Sequence, residues 1–340
     1  RENIDRFGGD PSNVTVCGQS AGAMSVAALL GASVDTRPFR RAILQSGAAR
    51  HVIGRQRADR IGEAFLAALG QPARTVEALA EISTTRILQA QGRINRELMN
   101  LSDLMVMLPC VDGQLVSEQP LRRVEAGEVR DVDLLIGTTI DEWKLFSPLE
   151  VRFPSFGEET LVERFAELLP NAFDRAPPPR TAALQFSEAV RERGGRTTPF
   201  EVWNCFQSAR VFHQPAAELA SAHSRSGGRV HSYLFAWRPP ALGRSLGACH
   251  AMDVPFVFGL PSRPITRFLP GLVGPARRLS TRMQHAWANF ARCGDPGHER
   301  LPNWDPYNDE HRSSMLLDRE CGLADRPLET ELRLIEGWGG

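Results

Sequence analysis

Apolar residues gather in four short continuous runs along the chain, each bounded by turn residues or by a polar stretch. Runs of this kind are typical of strands that are buried on both faces of a parallel sheet. The predicted strands are Val14–Cys17, Arg41–Gln45, 132–139 (VDLLIGTT) and Val230–Trp237.

Between these runs, apolar residues recur every three or four positions, which is the spacing of one helix face. Helices are predicted at Ala21–Leu30, within 58–96, within 151–225 and across Leu279–Phe290. No internal repeat is visible, and no linker is long enough to divide the chain. The alternation predicts a single α/β domain over residues 1–340, with a mostly parallel sheet and helical insertions that cover a site.

Composition narrows the classes of partner. A chain of 340 residues, 42 % hydrophobic, can bury a sizeable core. Its 40 basic and 40 acidic residues cancel, so no net field favours nucleic acid or an anionic membrane, and neither partner is expected. No apolar run reaches transmembrane length. The oligomeric state cannot be read from these features.

The six cysteines are scattered along the chain, without a C-x-x-C pair or the spacing of a zinc site. Isolated cysteines in a large chain favour free thiols, and free thiols favour a cytoplasmic over a secreted protein. No metal or organic cofactor is expected.

The stretch NVTVCGQSAGAMSVAALLG places Ser20 between a predicted strand and a predicted helix. A nucleophile elbow needs this context, because a sharp turn pushes the serine hydroxyl out above the sheet and requires nearly bare positions two residues to each side. Gly18 and Gly22 satisfy that need. The N–H of Ala21, at the start of the helix, is placed to donate to an oxyanion. The alternative is a glycine-rich turn with an idle serine.

A serine needs a general base, and the base needs an orienting acid. Among the eight histidines, His250 alone lies in a glycine-bearing loop just after the last clear strand. Position and chain order favour it as the base over a purely structural loop histidine. Asp141 and Glu142 follow the buried strand at 132–139, and either could accept a hydrogen bond from the imidazole. The residues by themselves leave that choice open.

Several blocks now resemble the type B carboxylesterase family, the cholinesterase-like branch of the α/β-hydrolases. In order they are ENIDRFGGDPSNVTVCGQSAGA, RAILQSG, PCVDG, LLIGTTIDEWKLF, GACHAMDVPFVFG and LPNWDPYNDEHRSSMLLD. The resemblance implies a serine esterase acting on a small-molecule ester without a cofactor. It implies Ser20 as nucleophile, Glu142 as acid, His250 as base and Ala21 as an oxyanion donor.

The resemblance also implies that Ser46 and Asp253 support these residues from behind. Two positions depart from the family pattern. Gln19 stands where the family usually has Glu, which weakens the local negative field and favours neutral over cationic esters. Trp143 stands where the family usually has Gly and is expected to reshape the loop while leaving the acid in place.

Family members usually begin with further strands and a His-Gly-Gly loop that supplies more oxyanion donors. We therefore expect an N-terminally truncated domain, with a partial α/β-hydrolase fold and low activity of its own, since losing one such donor costs about 10²- to 10³-fold in rate. Two alternatives stay open: a non-catalytic binding protein of cholinesterase-like fold, and an amidase or thioesterase that uses the same residues.

Overall fold

The computed structural model describes residues 2–32, 37–70, 75–98, 105–147, 156–239, 246–259 and 274–339. Its central element is a six-stranded sheet in the order β1-β2-β5-β6-β7-β8, and a two-stranded sheet of β3 and β4 lies apart from it. The strands are β1 (Thr15–Gln19), β2 (Arg41–Gln45), β3 (Ile53–Gly54), β4 (Cys110–Val111), β5 (Asp133–Thr139), β6 (Val230–Phe235), β7 (Ser314–Leu317) and β8 (Gly322–Ala324).

Neighbouring strands of the large sheet run parallel except β7 and β8, which are antiparallel. The predicted mostly parallel α/β architecture is therefore confirmed. Such connections need crossover elements between successive strands, and helices supply them here.

The described α-helices are α1 (Ala21–Leu30), α2 (Arg55–Leu69), α3 (Val76–Ala80), α4 (Thr84–Leu98), α5 (Pro120–Glu125), α6 (Glu158–Ala172), α7 (Pro179–Glu192), α8 (Pro199–Ser208), α9 (Gln214–Arg225), α10 (Val254–Val257), α11 (Gly274–Cys293) and α12 (Glu329–Gly337). Turns of 3₁₀-helix span Ile4–Phe7 and Glu142–Leu145. A π-helical turn, Ala209–His213, joins α8 to α9.

The sheet is covered on both faces because successive side chains of a strand point to opposite sides. Leu44 of β2 and Leu134 of β5 pack against one core cluster, which also includes residues of α1 and α9. Ile43 and Leu135, one position away, pack against the other cluster with residues of α11. This double burial explains why the strands appear in the sequence as unbroken apolar runs.

Two sequence predictions differ from the structure. The first strand was expected to be buried, but β1 is only half-buried and Cys17 within it is exposed, because β2 is its one hydrogen-bonded neighbour among the described residues. Strands β7 and β8 were not predicted, since four and three residues are too short to establish a pattern.

The turns that follow β1 and β2 hold residues in unusual backbone conformations. Ser20 has φ 55° and Ser46 has φ 53°, in a region that non-glycine residues rarely occupy. At Gly18, a Cβ atom would lie 2.3 Å from the carbonyl carbon of Gly22, so the strand and the helix approach too closely for any side chain there. Gly22 differs from its prediction, since its own Cβ would meet no described atom within 4 Å outside its chain neighbours and the nearby backbone of α1.

Gly18→Ala is expected to lower the free energy of unfolding by about 3 kcal/mol, the upper end for overpacking, because the methyl group meets backbone that cannot rotate away. Gly62→Ala is the matched control, since Gly62 lies in α2 with open space around its Cβ. This control should gain about 0.5–1 kcal/mol of helix stability. Urea unfolding of both variants measures the difference, and equal stabilities would contradict the close approach.

Candidate active site

The candidate residues are brought together by the carboxyl ends of the parallel strands. Ser20 follows β1, Ser46 follows β2, Glu142 lies three residues beyond β5, and His250 lies in the segment after β6. In a parallel sheet these ends lie at one edge, which is where open α/β sheets bind their ligands. Residues that are far apart in the sequence therefore lie at one edge of the sheet.

The central contact joins Glu142 to His250. Glu142 is fully buried, and its Oε2 lies 2.6 Å from His250 Nδ1. Its other oxygen, Oε1, accepts hydrogen bonds from the Ser46 hydroxyl at 2.5 Å and from the Thr139 N–H at 2.7 Å. The main-chain N–H of His250 also donates to the Glu142 carbonyl at 3.3 Å. Both the side chain and the backbone of the histidine are thus held by the same residue.

These contacts determine the charge of the carboxylate. Burial by itself raises the pKa of Glu142, but the hydrogen bonds from His250, Ser46 and Thr139, with the attraction of the imidazole, outweigh it and lower the pKa below its usual value. Glu142 is therefore ionised near neutral pH and can only accept at Oε2. Nδ1 of a neutral His250 consequently carries the proton.

Asp141, the neighbouring acid, points elsewhere. Its Oδ2 accepts the Ala248 N–H at 2.9 Å and the Arg238 Nε–H at 3.0 Å, while Oδ1 lies 3.3 Å from Lys144 Nζ. Burial raises the pKa of Asp141, and the charges of Lys144 and Arg238 lower it further than burial raises it. Asp141 N–H also donates to the Ala248 carbonyl at 3.0 Å. Of the two acids that the sequence left open, Glu142 touches the imidazole, and Asp141 anchors the segment that carries it.

Ser20 lies at the predicted corner, half-buried, with its N–H donating to the Gln45 carbonyl at 2.9 Å. Its carbonyl accepts the Met24 N–H at 2.9 Å as α1 begins. Ala21 is the first residue of that helix, so its N–H has no acceptor within the helix. Among the described residues, no hydrogen bond is recorded for the Ser20 hydroxyl. The atom that meets His250 Nε2 is instead Gln19 Nε2, at 3.1 Å.

Asp253 belongs to a buried polar network beside the site. Its Oδ2 accepts hydrogen bonds from Gln45 Nε2 and from the Tyr233 hydroxyl, both at 2.8 Å. Gln45 Oε1 in turn accepts from Trp287 Nε1 at 3.1 Å. Burial, with the charge of Glu142, raises the pKa of Asp253. The sequence singled out Asp253, but it carried no signal for the partners on β2, β6 and α11.

An apolar wall surrounds the imidazole and was also missed. The ring centroids of Phe212 and Phe146 lie 4.9 and 5.1 Å from that of His250. Trp143 packs with Met24 and Phe212 in the same cluster and leaves Glu142 in place, as expected. Phe212 belongs to the π-helical turn, and such turns are frequent at functional sites. No local sequence pattern connects a helical Phe to a distant histidine.

No group of three His, Cys, Asp or Glu side chains in the described ranges could hold a metal ion. No helix in the same ranges is both long and apolar enough to cross a bilayer. All six cysteines are free thiols.

Comparisons with known proteins extend these observations. Residues 1–334 match the model of the carboxylesterase family. The chain is 33 % identical over 336 residues to a para-nitrobenzyl esterase of Bacillus subtilis (strain 168), covering 98 % of the chain and 64 % of that protein. It is 26 % identical over 358 residues to a human bile salt-activated lipase, covering 99 % of the chain and 46 % of that protein.

A solved structure of a Geobacillus stearothermophilus carboxylesterase superposes with a TM-score of 0.79 at 29 % identity, covering 99 % of this chain and 66 % of the other. The chain spans less than two thirds of the length of the curated relatives above. With its mostly parallel sheet and these structural neighbours, the chain has the expected α/β-hydrolase fold, and it belongs to the carboxylesterase family.

Proposed function

We propose that this chain carries the catalytic residues of a serine hydrolase that cleaves carboxylic esters through an acyl-enzyme. The observation that carries the proposal is the buried Glu142–His250 hydrogen bond, at the sheet edge where a strained turn presents Ser20. Family membership and the names of the esterase relatives support the same chemistry.

Acylation begins at the Ser20 hydroxyl. Because Glu142 holds the proton on Nδ1, His250 Nε2 carries a lone pair, which takes the Ser20 proton as Oγ attacks the ester carbonyl once the Gln19 NH₂ facing it has moved aside. The oxyanion that forms accepts a hydrogen bond from the Ala21 N–H. His250 then gives its new proton to the alkoxy oxygen, and the alcohol leaves an acyl-serine.

Deacylation repeats these steps with water. His250 removes a proton from a water molecule, the hydroxide attacks the acyl carbonyl, and the returned proton regenerates the Ser20 hydroxyl as the acid departs. Glu142 stabilises the imidazolium in both halves. Ser46 supports Glu142 directly through its hydroxyl. Asp253 supports the neighbouring polar network by accepting a hydrogen bond from Gln45.

Ala21 is the single oxyanion donor that we propose among residues 1–340. Since a loss of one oxyanion donor costs about 10²- to 10³-fold in rate, a single donor holds the oxyanion weakly, and we propose that residues 1–340 on their own turn over esters slowly. The protein in the form that the cell makes is the material for every activity assay below.

Ser20→Ala is expected to lower kcat by at least about 10⁴-fold with little change in stability, because the nucleophile is lost and the fold is kept. A fluorophosphonate probe should label the wild type on the peptide that contains Ser20 and should not label the variant. Ser25→Ala is the matched control, since Ser25 is an exposed serine on α1 that bonds to the Ala21 carbonyl. Absence of labelling in the wild type would favour the non-catalytic binding protein.

Glu142→Gln and Asp141→Asn separate the two acids. The amide in Glu142→Gln cannot stabilise the imidazolium, so kcat should fall by about 10³- to 10⁴-fold. Asp141→Asn should lose about tenfold at most, since Asp141 only positions the histidine segment, equivalent to about 1.4 kcal/mol. Steady-state kinetics at neutral pH checks both values, and equal losses would contradict the assigned roles.

We further propose that the substrate is a neutral ester, because Gln19 places no charge beside the nucleophile. The value of kcat/KM should be at least about tenfold higher for p-nitrophenyl butyrate than for butyrylcholine. The corresponding anilide and thioester distinguish an esterase from an amidase or thioesterase, and faster cleavage of either would contradict the proposed preference.

A further inference from the structure

Gln19 is the second polar partner of His250, and the mechanism above gives it no role. Its side-chain nitrogen lies 3.1 Å from Nε2, the atom that must accept the Ser20 proton. Gln19 is the last residue of β1 and is paired in register with Gln45 of β2, so the sheet determines where its side chain starts. The contact is therefore set by the fold.

Two independent contacts require the same state of the imidazole. The ionised Glu142 faces Nδ1, which assigns the proton to that nitrogen and leaves a lone pair on Nε2. A side-chain NH₂ group can only donate, and the Gln19 NH₂ faces that lone pair. With the NH₂ group of Gln19 toward the ring, the arrangement fits neutral His250, because an imidazolium would turn two donors toward each other.

Apart from Glu142, Gln19 is the polar side chain that contacts the imidazole in the described ranges, and the apolar rings around it also disfavour the charged form. The titratable groups nearby are Glu142 from the end of β5 and Asp253 at the start of α10, while His213 of the π-helical turn acts on Glu142. Burial lowers the pKa of His213, which keeps that ring uncharged at neutral pH, and Phe146 and Phe212 are apolar. Glu142 favours the imidazolium, and Gln19 opposes it from the opposite side of the ring.

We propose that Gln19 is a positioning residue of the base, which stabilises the neutral imidazole and extends activity to lower pH than a carboxylate at this position would allow. A carboxylate could accept from the imidazolium but could not donate to the neutral ring. The inference rests on the proposed function, since it assigns His250 as the base.

The test replaces Gln19 by Glu and by Ala in the full-length protein. Gln19→Glu should favour the charged form of His250, because an opposite charge within about 4–6 Å stabilises it. The acid limb of the kcat/KM profile should therefore move to higher pH by at least about one pH unit. Activity at pH 6 should fall at least tenfold, and activity near pH 9 should stay close to that of the wild type. Gln19→Ala should shift the limb in the same direction by less.

Gln56→Glu is the matched control, since Gln56 is exposed on α2 and its substitution adds the same charge away from His250. Its profile should overlay that of the wild type. A general loss of structure would lower kcat at all pH values and would not move the limb.

Nitrogen-15 NMR of the histidine side chains gives a readout that needs no activity. The His250 signals are assigned by their loss in His250→Gln, and neutral His250 of the wild type should show Nδ1 protonated and Nε2 unprotonated. An Nε2–H tautomer, or an unchanged His250 pKa in Gln19→Glu, would overturn the inference. If the NMR results hold while the protein neither turns over esters nor reacts with the fluorophosphonate, the proposed function fails and the role of Gln19 as a partner of His250 stands.

Discussion

The hydrogen bond between His250 and the buried Glu142 is the contact on which the geometry of the site depends. A fully buried carboxylate is costly unless its oxygens are satisfied, and here Ser46, Thr139 and the imidazole satisfy them. The same bonds lower the pKa of Glu142, and the resulting charge selects the tautomer of the histidine. The charge of Glu142, the tautomer of His250 and the orientation of its ring thus all follow from the burial of Glu142 among these three donors.

The sheet supplies the framework for that burial. Ser20 and Ser46 occupy strained turns at the ends of two adjacent parallel strands, and strain of this kind persists only where surrounding structure over-determines it. Gly18 lets α1 begin directly at the turn, so the first N–H groups of the helix, which have no acceptor within it, lie next to Ser20 in the chain. Asp141 then ties the histidine segment to the end of β5.

Gln19 affects both the local charge beside Ser20 and the protonation of His250. Gln19 places no negative charge beside Ser20, the proposed nucleophile, and it also touches His250, the proposed base. Substrate preference and the working pH range would then follow from a single side chain at the end of β1. The apolar wall of Phe146 and Phe212 strengthens this coupling, because charges interact more strongly where water is excluded.

The sequence by itself determined the local elements: the buried strands, the strand-to-helix turn at Ser20, the loop at His250 and an acid after β5. These features depend on residues that are neighbours in the chain. It did not determine the exposure of β1, the short strands β7 and β8, the Asp253 network or the ring contacts. Only the tertiary structure brought Glu142 to His250 across 108 positions and Gln19 to His250 across 231. Such contacts are decided by strand order and side-chain packing, which no local pattern encodes.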